Sequence, residues 1–215
     1  MSTRQKDLIN RYVAAFIVVL FSGCAVGQKI NYHGTVADIT ASGTKTVGTA
    51  THDQRPYVLS GDKSPDVVGL MRGGYGNPFN VKTESGRPLA DDITETVVAS
   101  LTKKGFKAVP VIVLAKDSID SVMEKLKANN GENLILLTLN EWKSDAYMNA
   151  SLYYDVNLKI FDRTGNVLAE SDIKGTDNLG GSFNIVKYSK IVVPQTFKKK
   201  IEELLNNPDV VKALQ

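Results

Sequence analysis

Between Ala150 and Ile160 the chain alternates without a break. Ala150, Leu152, Tyr154, Val156, Leu158 and Ile160 take one set of positions, and Ser151, Tyr153, Asp155, Asn157 and Lys159 take the other. A period of two over eleven residues fits an extended strand with one dry and one wetter face. Asp162-Arg-Thr-Gly165-Asn166 follows, with glycine where a hairpin turn needs positive φ, and residues 167–176 read as the returning strand. A pair of strands this long must be covered on its dry face by other elements of the chain.

Amphipathic helices supply that cover. Leu89, Ile93, Val97 and Leu101 recur every four residues, with Asp91 and Asp92 in the first turn, Lys103 and Lys104 in the last and Gly105 beyond it. Apolar spacing, charge placement and the glycine stop agree on a helix beginning near Pro88. A second helix carries Ile119, Val122, Met123 and Leu126, with Asp117 as its expected cap and Gly131 at its end. Phe197, Ile201, Leu204 and Leu205 mark a C-terminal helix, with Pro194 near its start or at a kink and Pro208 opening a short last turn.

Three further strands are predicted. They are the threonine- and valine-rich residues 44–53, the run FKAVPVIVLA at 106–115 with Pro110 at an edge or bulge, and the buried LILLTL within 133–142. The order β-α-β-α-β-β-β-α predicts an α+β fold, a two-layer sandwich of a mixed or antiparallel sheet with helices on one face. A chain of 215 residues, 42% hydrophobic and 23% charged, suffices for one such domain over residues 45–215.

The N-terminal residues carry a different message. Arg4, Lys6 and Arg11 precede VAAFIVVLF at 13–21, an apolar run of nine. A helix of that length crosses less than half of a bilayer core, which needs about 20 residues, so the run reads as an export signal over residues 1–23. Leu20-Phe21-Ser22-Gly23-Cys24 resembles the lipobox of bacterial lipoproteins, with Phe21 in place of the usual aliphatic residue. In that motif the thiol is acylated and becomes the first residue. Cys24 is the sole cysteine, so lipidation there leaves none for a disulfide. Several acyl chains, at about 0.8 kcal/mol per buried methylene, hold a protein stably on a membrane. By the same resemblance Ala25, in place of aspartate, implies the outer membrane, facing the periplasm.

Removing the leader also removes two of the three net positive charges. A nearly neutral mature surface does not supply the concentrated basic patch that nucleic-acid binding requires. Residues 24–44 read as the lipidated cysteine and a flexible tether, spanning on the order of 25 Å as a coil and about 70 Å when extended.

Residues 54–87 read as a long loop containing three prolines and six glycines. Its centre, MRGGYGNPFN at 71–80, invites a phosphate-binding reading that fails on inspection. From Gly69 the P-loop spacing reaches Gly74, but Tyr75 and Gly76 follow where lysine and a hydroxyl are needed. The dinucleotide pattern stops at Phe79. Arg72, Tyr75 and Phe79 remain as candidate contacts for a protein partner, since these residue types anchor interfaces.

Other chemistries lack their parts. His33 and His52 are the only histidines, too few for a zinc site once Cys24 is acylated, and no calcium-loop or G-x-S-x-G pattern occurs. No catalytic residue, metal or cofactor is expected.

The lipobox, the polar segment after it, Asp53-Gln54-Arg55 at a strand end, Lys104-Gly105-Phe106 at a helix end and the strand Tyr154-Asp-Val-Asn-Leu-Lys-Ile-Phe161 together resemble the YajG-type outer-membrane lipoproteins. Their domain is similar to the amino-terminal domain of TolB and to lipoprotein activators of peptidoglycan synthases. The resemblance covers roughly residues 46–205 and departs between 55 and 88. It implies a non-enzymatic accessory lipoprotein that binds another envelope protein, through the 72–79 loop or an exposed sheet edge. The alternative is a periplasmic small-ligand receptor or an enzyme with an unrecognised site.

Overall fold

The computed structural model describes residues 27–215, so the signal segment and Cys24 lie outside the described residues. In chain order the elements are β1 (Lys29–Ile30), β2 (Thr46–Asp53), α1 (Pro56–Leu59), β3 (Val67–Arg72), β4 (Pro78–Thr83), α2 (Leu89–Lys103), β5 (Lys107–Pro110), α3 (Ile119–Ala128), β6 (Asn133–Ala146), β7 (Asn149–Asp162), β8 (Val167–Gly181), α4 (Ile185–Leu205) and α5 (Pro208–Leu214). The strands form one mixed sheet in the order β1-β4-β3-β6-β2-β5, with β7 and β8 continuing from the other side of β6. This is the expected α+β sandwich.

The fourteen-residue β6 organises the sheet. Along one side it pairs antiparallel with β7, from Asn133 beside Asp162 to Ala146 beside Ala150. Along the other, β2 runs parallel to its first half and β3 parallel to its end. The predicted hairpin joins β7 to β8, with Gly165 at φ +101°. Asp162 Oδ1 accepts the backbone N–H groups of Thr164, Gly165 and Asn166.

Alternation along β6 divides the core in two. Ile135, Leu137 and Leu139 face α2, α4 and α5, where Leu89, Ile93, Val97, Phe197, Ile201 and Leu204 are all buried. Leu134 and Leu136 point the opposite way, onto Val122 and Leu126 of α3. The expectation that all helices share one face therefore needs a correction: α3 covers the reverse face. Ser118, rather than Asp117, caps α3 by accepting from the Ser121 N–H. Asp117 instead accepts from the Leu114 N–H and pairs with Lys125 at 2.5 Å.

Two larger corrections concern segments read as irregular. The expected tether is packed from residue 27 onward. Tyr32, Ala37, Ile39 and Ala41 are buried, and β1 adds parallel to β4. Ala37 N–H donates to Ser100 on α2, while Asp38 and Thr40 donate to Glu202 and Asn206 at the far end of α4. Ala37, Ile39 and Ala41 do alternate with Asp38 and Thr40, but the run is short and two of its three buried residues are alanines, so it reads as linker.

The expected 54–87 loop contains α1, β3 and β4. The side chain of Arg55, fully buried, forms two hydrogen bonds with Asp53, of 2.9 and 2.7 Å, and donates to the carbonyls of Val67 and Pro65. That single guanidinium fastens the end of β2 to the start of β3. Gly69 lies where β3 meets β6, and a Cβ there would sit 2.5 Å from the Ser144 carbonyl oxygen. The glycine serves this close approach, not a phosphate.

The C-terminal helix begins earlier than its apolar spacing suggests, with Pro194 in its interior. Conversely β5 ends at Pro110, and residues 111–114 continue as irregular chain.

Candidate functional site

β5 is an edge strand. Among the described residues it pairs only with β2, over Lys107 to Pro110. Beyond Pro110 the chain stays beside β2 through one bond, from the Val111 N–H to the Thr49 carbonyl, and then leaves the ladder. The N–H groups of Lys107 and Val111 point to β2, so Pro110 lacks its N–H on the outer side, which keeps β5 at the edge of the sheet. The run is therefore turned outward in part. Val109, Ile112 and Leu114 are exposed, Ile112 at 78%, and so is Ile119 on the first turn of α3, five residues further along the chain. Together they make an apolar shelf at the sheet's edge.

Between this stretch and α2 lies a cleft of about 160 Å³. Thr51, Thr94, Asp91 and Glu95 line one side and residues 110–113 the other. The Thr94 hydroxyl donates to the carbonyl of Ala90 and lies 2.9 Å from the Thr51 hydroxyl, whose hydrogen it accepts. Burial raises the Asp91 carboxyl above its ordinary pKa.

Asp91 and Asp92, both attributable to a helix first turn, have different surroundings. Asp92 is completely buried, accepting from Ser85 at 2.8 Å and from Arg87 at 2.9 Å. Burial raises its pKa, and those two donors oppose the rise. Arg87 also grips Glu95 through both guanidinium nitrogens, which lowers the Glu95 pKa. His33 Nδ1 lies 2.9 Å from Glu95 and 3.1 Å from Arg87. His33, Asp92 and Glu95 bring ligand atoms within 4.8 Å of one another, a spacing that suits a cation. Arg87 already supplies a positive group bonded to both carboxylates, so the cluster is a closed ion-pair network.

His52 and Asp53 are neighbours on β2 and point to opposite faces. His52 Nε2 meets Gln54 at 2.8 Å, and Asp53 is committed to Arg55. The pair does not form a catalytic dyad.

The three loop residues singled out from sequence have separate fates. Arg72 closes β3 and pairs with Asp145 through two bonds, of 2.9 and 2.6 Å. Phe79 on β4 is half-buried against the core. Tyr75, at the turn between the strands, is 80% exposed. Sequence reasoning missed Ile112 and Leu114, which it placed inside a strand. The available signal was Pro110, which forbids that strand from having partners on both sides.

No protein-family model matches the sequence, and no curated protein matches it. Among solved structures, the chain is similar to a Xanthomonas campestris protein described as family DUF330. The match has 11% identity over 87% of this chain and 96% of that one, with a TM-score of 0.53. PelC from Paraburkholderia phytofirmans, described as a dodecamer, matches at 15% identity over 80% of this chain and 96% of its own, with a TM-score of 0.42. Lipoprotein GNA1162 from Neisseria meningitidis matches at 8% identity over 73% of this chain and 99% of its own, with a TM-score of 0.29. The Xanthomonas likeness shows a shared fold; the other two are too distant to argue from. Among the described residues no helix is long and apolar enough to cross a membrane.

Proposed function

We propose that the protein is a non-enzymatic accessory lipoprotein of the outer membrane, anchored through acylated Cys24 and facing the periplasm, that binds another envelope protein. The observation that carries the reading is the shelf of Val109, Ile112, Leu114 and Ile119 beside the free edge of β5. Contiguous exposed apolar side chains rimmed by polar ones mark interaction surfaces. The lipobox at residues 20–24 and the motifs shared with YajG-type lipoproteins support the cellular setting. The packed segment after Gly27 departs from the tether read from the composition of residues 24–44.

A small-ligand receptor is the second reading, with the cleft beside Asp91 as its candidate site. Its volume of about 160 Å³ falls below the roughly 300–1,000 Å³ of ligand sites. The carboxylates of Asp92 and Glu95 are already engaged by Arg87.

In-cell photo-crosslinking tests the proposal, with probes at Ile112 and Leu114 and a control probe at Arg163 on the β7–β8 turn. One dominant envelope protein captured from the first two positions and absent from the third is the expected result. Equal capture from all three positions, or none from any, overturns it.

A further inference from the structure

Three turns meet at one end of the sheet. β3 runs into the turn at residues 73–77. β6, parallel to it with Met71 beside Ala146, runs into the turn at Tyr147 and Met148. β8 ends at Gly181 opposite Asn149, delivering Ser182 and Phe183 to the same place. The Tyr147 hydroxyl donates to the Gly74 carbonyl at 3.4 Å, tying the first turn to the second.

What projects from these turns is apolar. Tyr75 is 80% exposed, Met148 74%, Phe183 entirely and Tyr147 in part. Around them, residues 73–78, 147–149 and 180–184 contain no charged side chain, in a chain that is 23% charged. Turns of this kind normally project asparagine, aspartate or serine. Here glycine and asparagine shape the turns, with Gly76 at φ +80° and the Asn178 side chain accepting from the Gly180 N–H. The outermost residues are left to aromatic rings and a thioether. Just below, Arg72 and Asp145 neutralise one another.

The N-terminal strand comes from this end. β1 runs parallel to β4, with Lys29 beside Lys82 and Ile30 beside Thr83, and β4 starts from the turn at Pro78. From Gln28, whose carbonyl accepts from the Lys82 N–H, the strand runs away from the Tyr75 end, and Gly27 before it occupies a turn at φ +69°. Three residues separate Gly27 from Cys24, which limits their separation to about 10 Å. The segment that follows is packed against α2 and α4, so the domain begins within that distance of the anchor.

We propose that this end is a membrane-docking tip, in which Tyr75, Tyr147, Met148 and Phe183 enter the phospholipid interface beside acylated Cys24. Aromatic residues with a polar handle favour the headgroup level, and an uncharged tip meets no desolvation penalty for ions there. The tip supplements the acyl chains and fixes the orientation of the domain. β6 then rises from the membrane by about 45 Å. The apolar shelf beside β5, which is level with the first residues of β6, faces away from the lipid.

The inference rests on acylation of Cys24, and the test separates the two. The acylated full chain carrying Phe183→Trp is placed in phosphatidylethanolamine–phosphatidylglycerol vesicles. Their acyl chains are brominated about 5–10 Å below the headgroups. Trp142 is completely buried and contributes a constant background. The comparison protein carries Leu168→Trp, at the opposite end of the sheet. Flotation with the vesicles, together with the protein's mass, reports the anchor. The expected result is flotation of both variants, with bromine quenching of Trp emission only for Phe183→Trp. Flotation without selective quenching overturns the docking tip and leaves the anchor standing. Failure to float, with an unmodified mass, overturns the anchor and the tip together.

Discussion

The indole N–H of Trp142 donates to the hydroxyl of Tyr32 at 3.2 Å, across 110 residues of sequence. The two rings meet edge to face, and Phe197 completes the cluster at 5.0 Å from Tyr32 and 5.6 Å from Trp142. All three side chains are fully buried, one from the N-terminal segment, one from β6 and one from α4. A residue expected in a flexible tether thus closes the main core. Tyr32→Ala should cost about 3–5 kcal/mol, as for other buried aromatic truncations. Tyr32→Phe keeps the ring and strands the indole N–H, for about 1–3 kcal/mol. Urea unfolding of the mature chain measures both. A loss below about 0.5 kcal/mol for Tyr32→Ala, the range of surface substitutions, would return the segment to a linker role.

The buried pair Asp53–Arg55 makes a second prediction. Arg55 makes four side-chain hydrogen bonds, two to Asp53 and two to backbone carbonyls. Burial works to lower its pKa, and the bonds and charge of Asp53, together with Tyr57, leave it raised overall. Arg55→Met leaves Asp53 charged and unpaired in the interior, at about 3–5 kcal/mol. Asp53→Leu combined with Arg55→Met removes both charges and should destabilise less than Arg55→Met alone. A double-mutant cycle by chemical denaturation checks this, and additive losses would rule out the coupling.

How much of this was legible depended on local periodicity. β7, β8 and α2 announced themselves because each carries its apolar face at a regular spacing over many residues. β1, β3 and β4 are short, and their partners lie far away in sequence, so glycine and proline content dominated the reading of 54–87. Tyr32 and Arg55 gave no sign of burial, because their partners arrive only through the fold. The exposed shelf was hidden for the opposite reason: Val109, Ile112 and Leu114 look like core residues until the edge position of β5 is known. Of the loop residues, only Tyr75 kept the exposure that a contact role requires.

Asp162 gives the fold a measurable acid response. Its carboxylate accepts from the Thr164 hydroxyl, the Asn166 amide and three backbone N–H groups at the β7–β8 turn. Those bonds, led by Thr164 and then Asn166, hold its pKa well below the ordinary 3.8. A lowered carboxyl binds its proton more weakly in the folded state than in the unfolded chain. Its contribution is therefore complete above 3.8 and is lost as pH falls from there through the depressed native value. Asp162→Asn should lower stability at pH 7 and flatten the decline between pH 4 and the acid limit. Urea midpoints across that range test it, and parallel profiles for the two proteins would contradict it.

Ile112 separates binding from folding. Its side chain is 78% exposed and lies on irregular chain past the end of β5, so Ile112→Glu removes no core contact. Stability should change by no more than about 0.5 kcal/mol. A carboxylate in the middle of the shelf would, however, have to be desolvated beneath any partner that covers Val109 and Leu114. Association should weaken by about 2 kcal/mol or more, the loss seen at interface hot spots. Co-purification of the crosslinked envelope partner with Ile112→Glu, set against its thermal unfolding curve, reads both quantities from one preparation. Loss of the partner with an unchanged melting curve assigns the shelf to recognition. Retention of the partner at full yield moves recognition elsewhere on the domain.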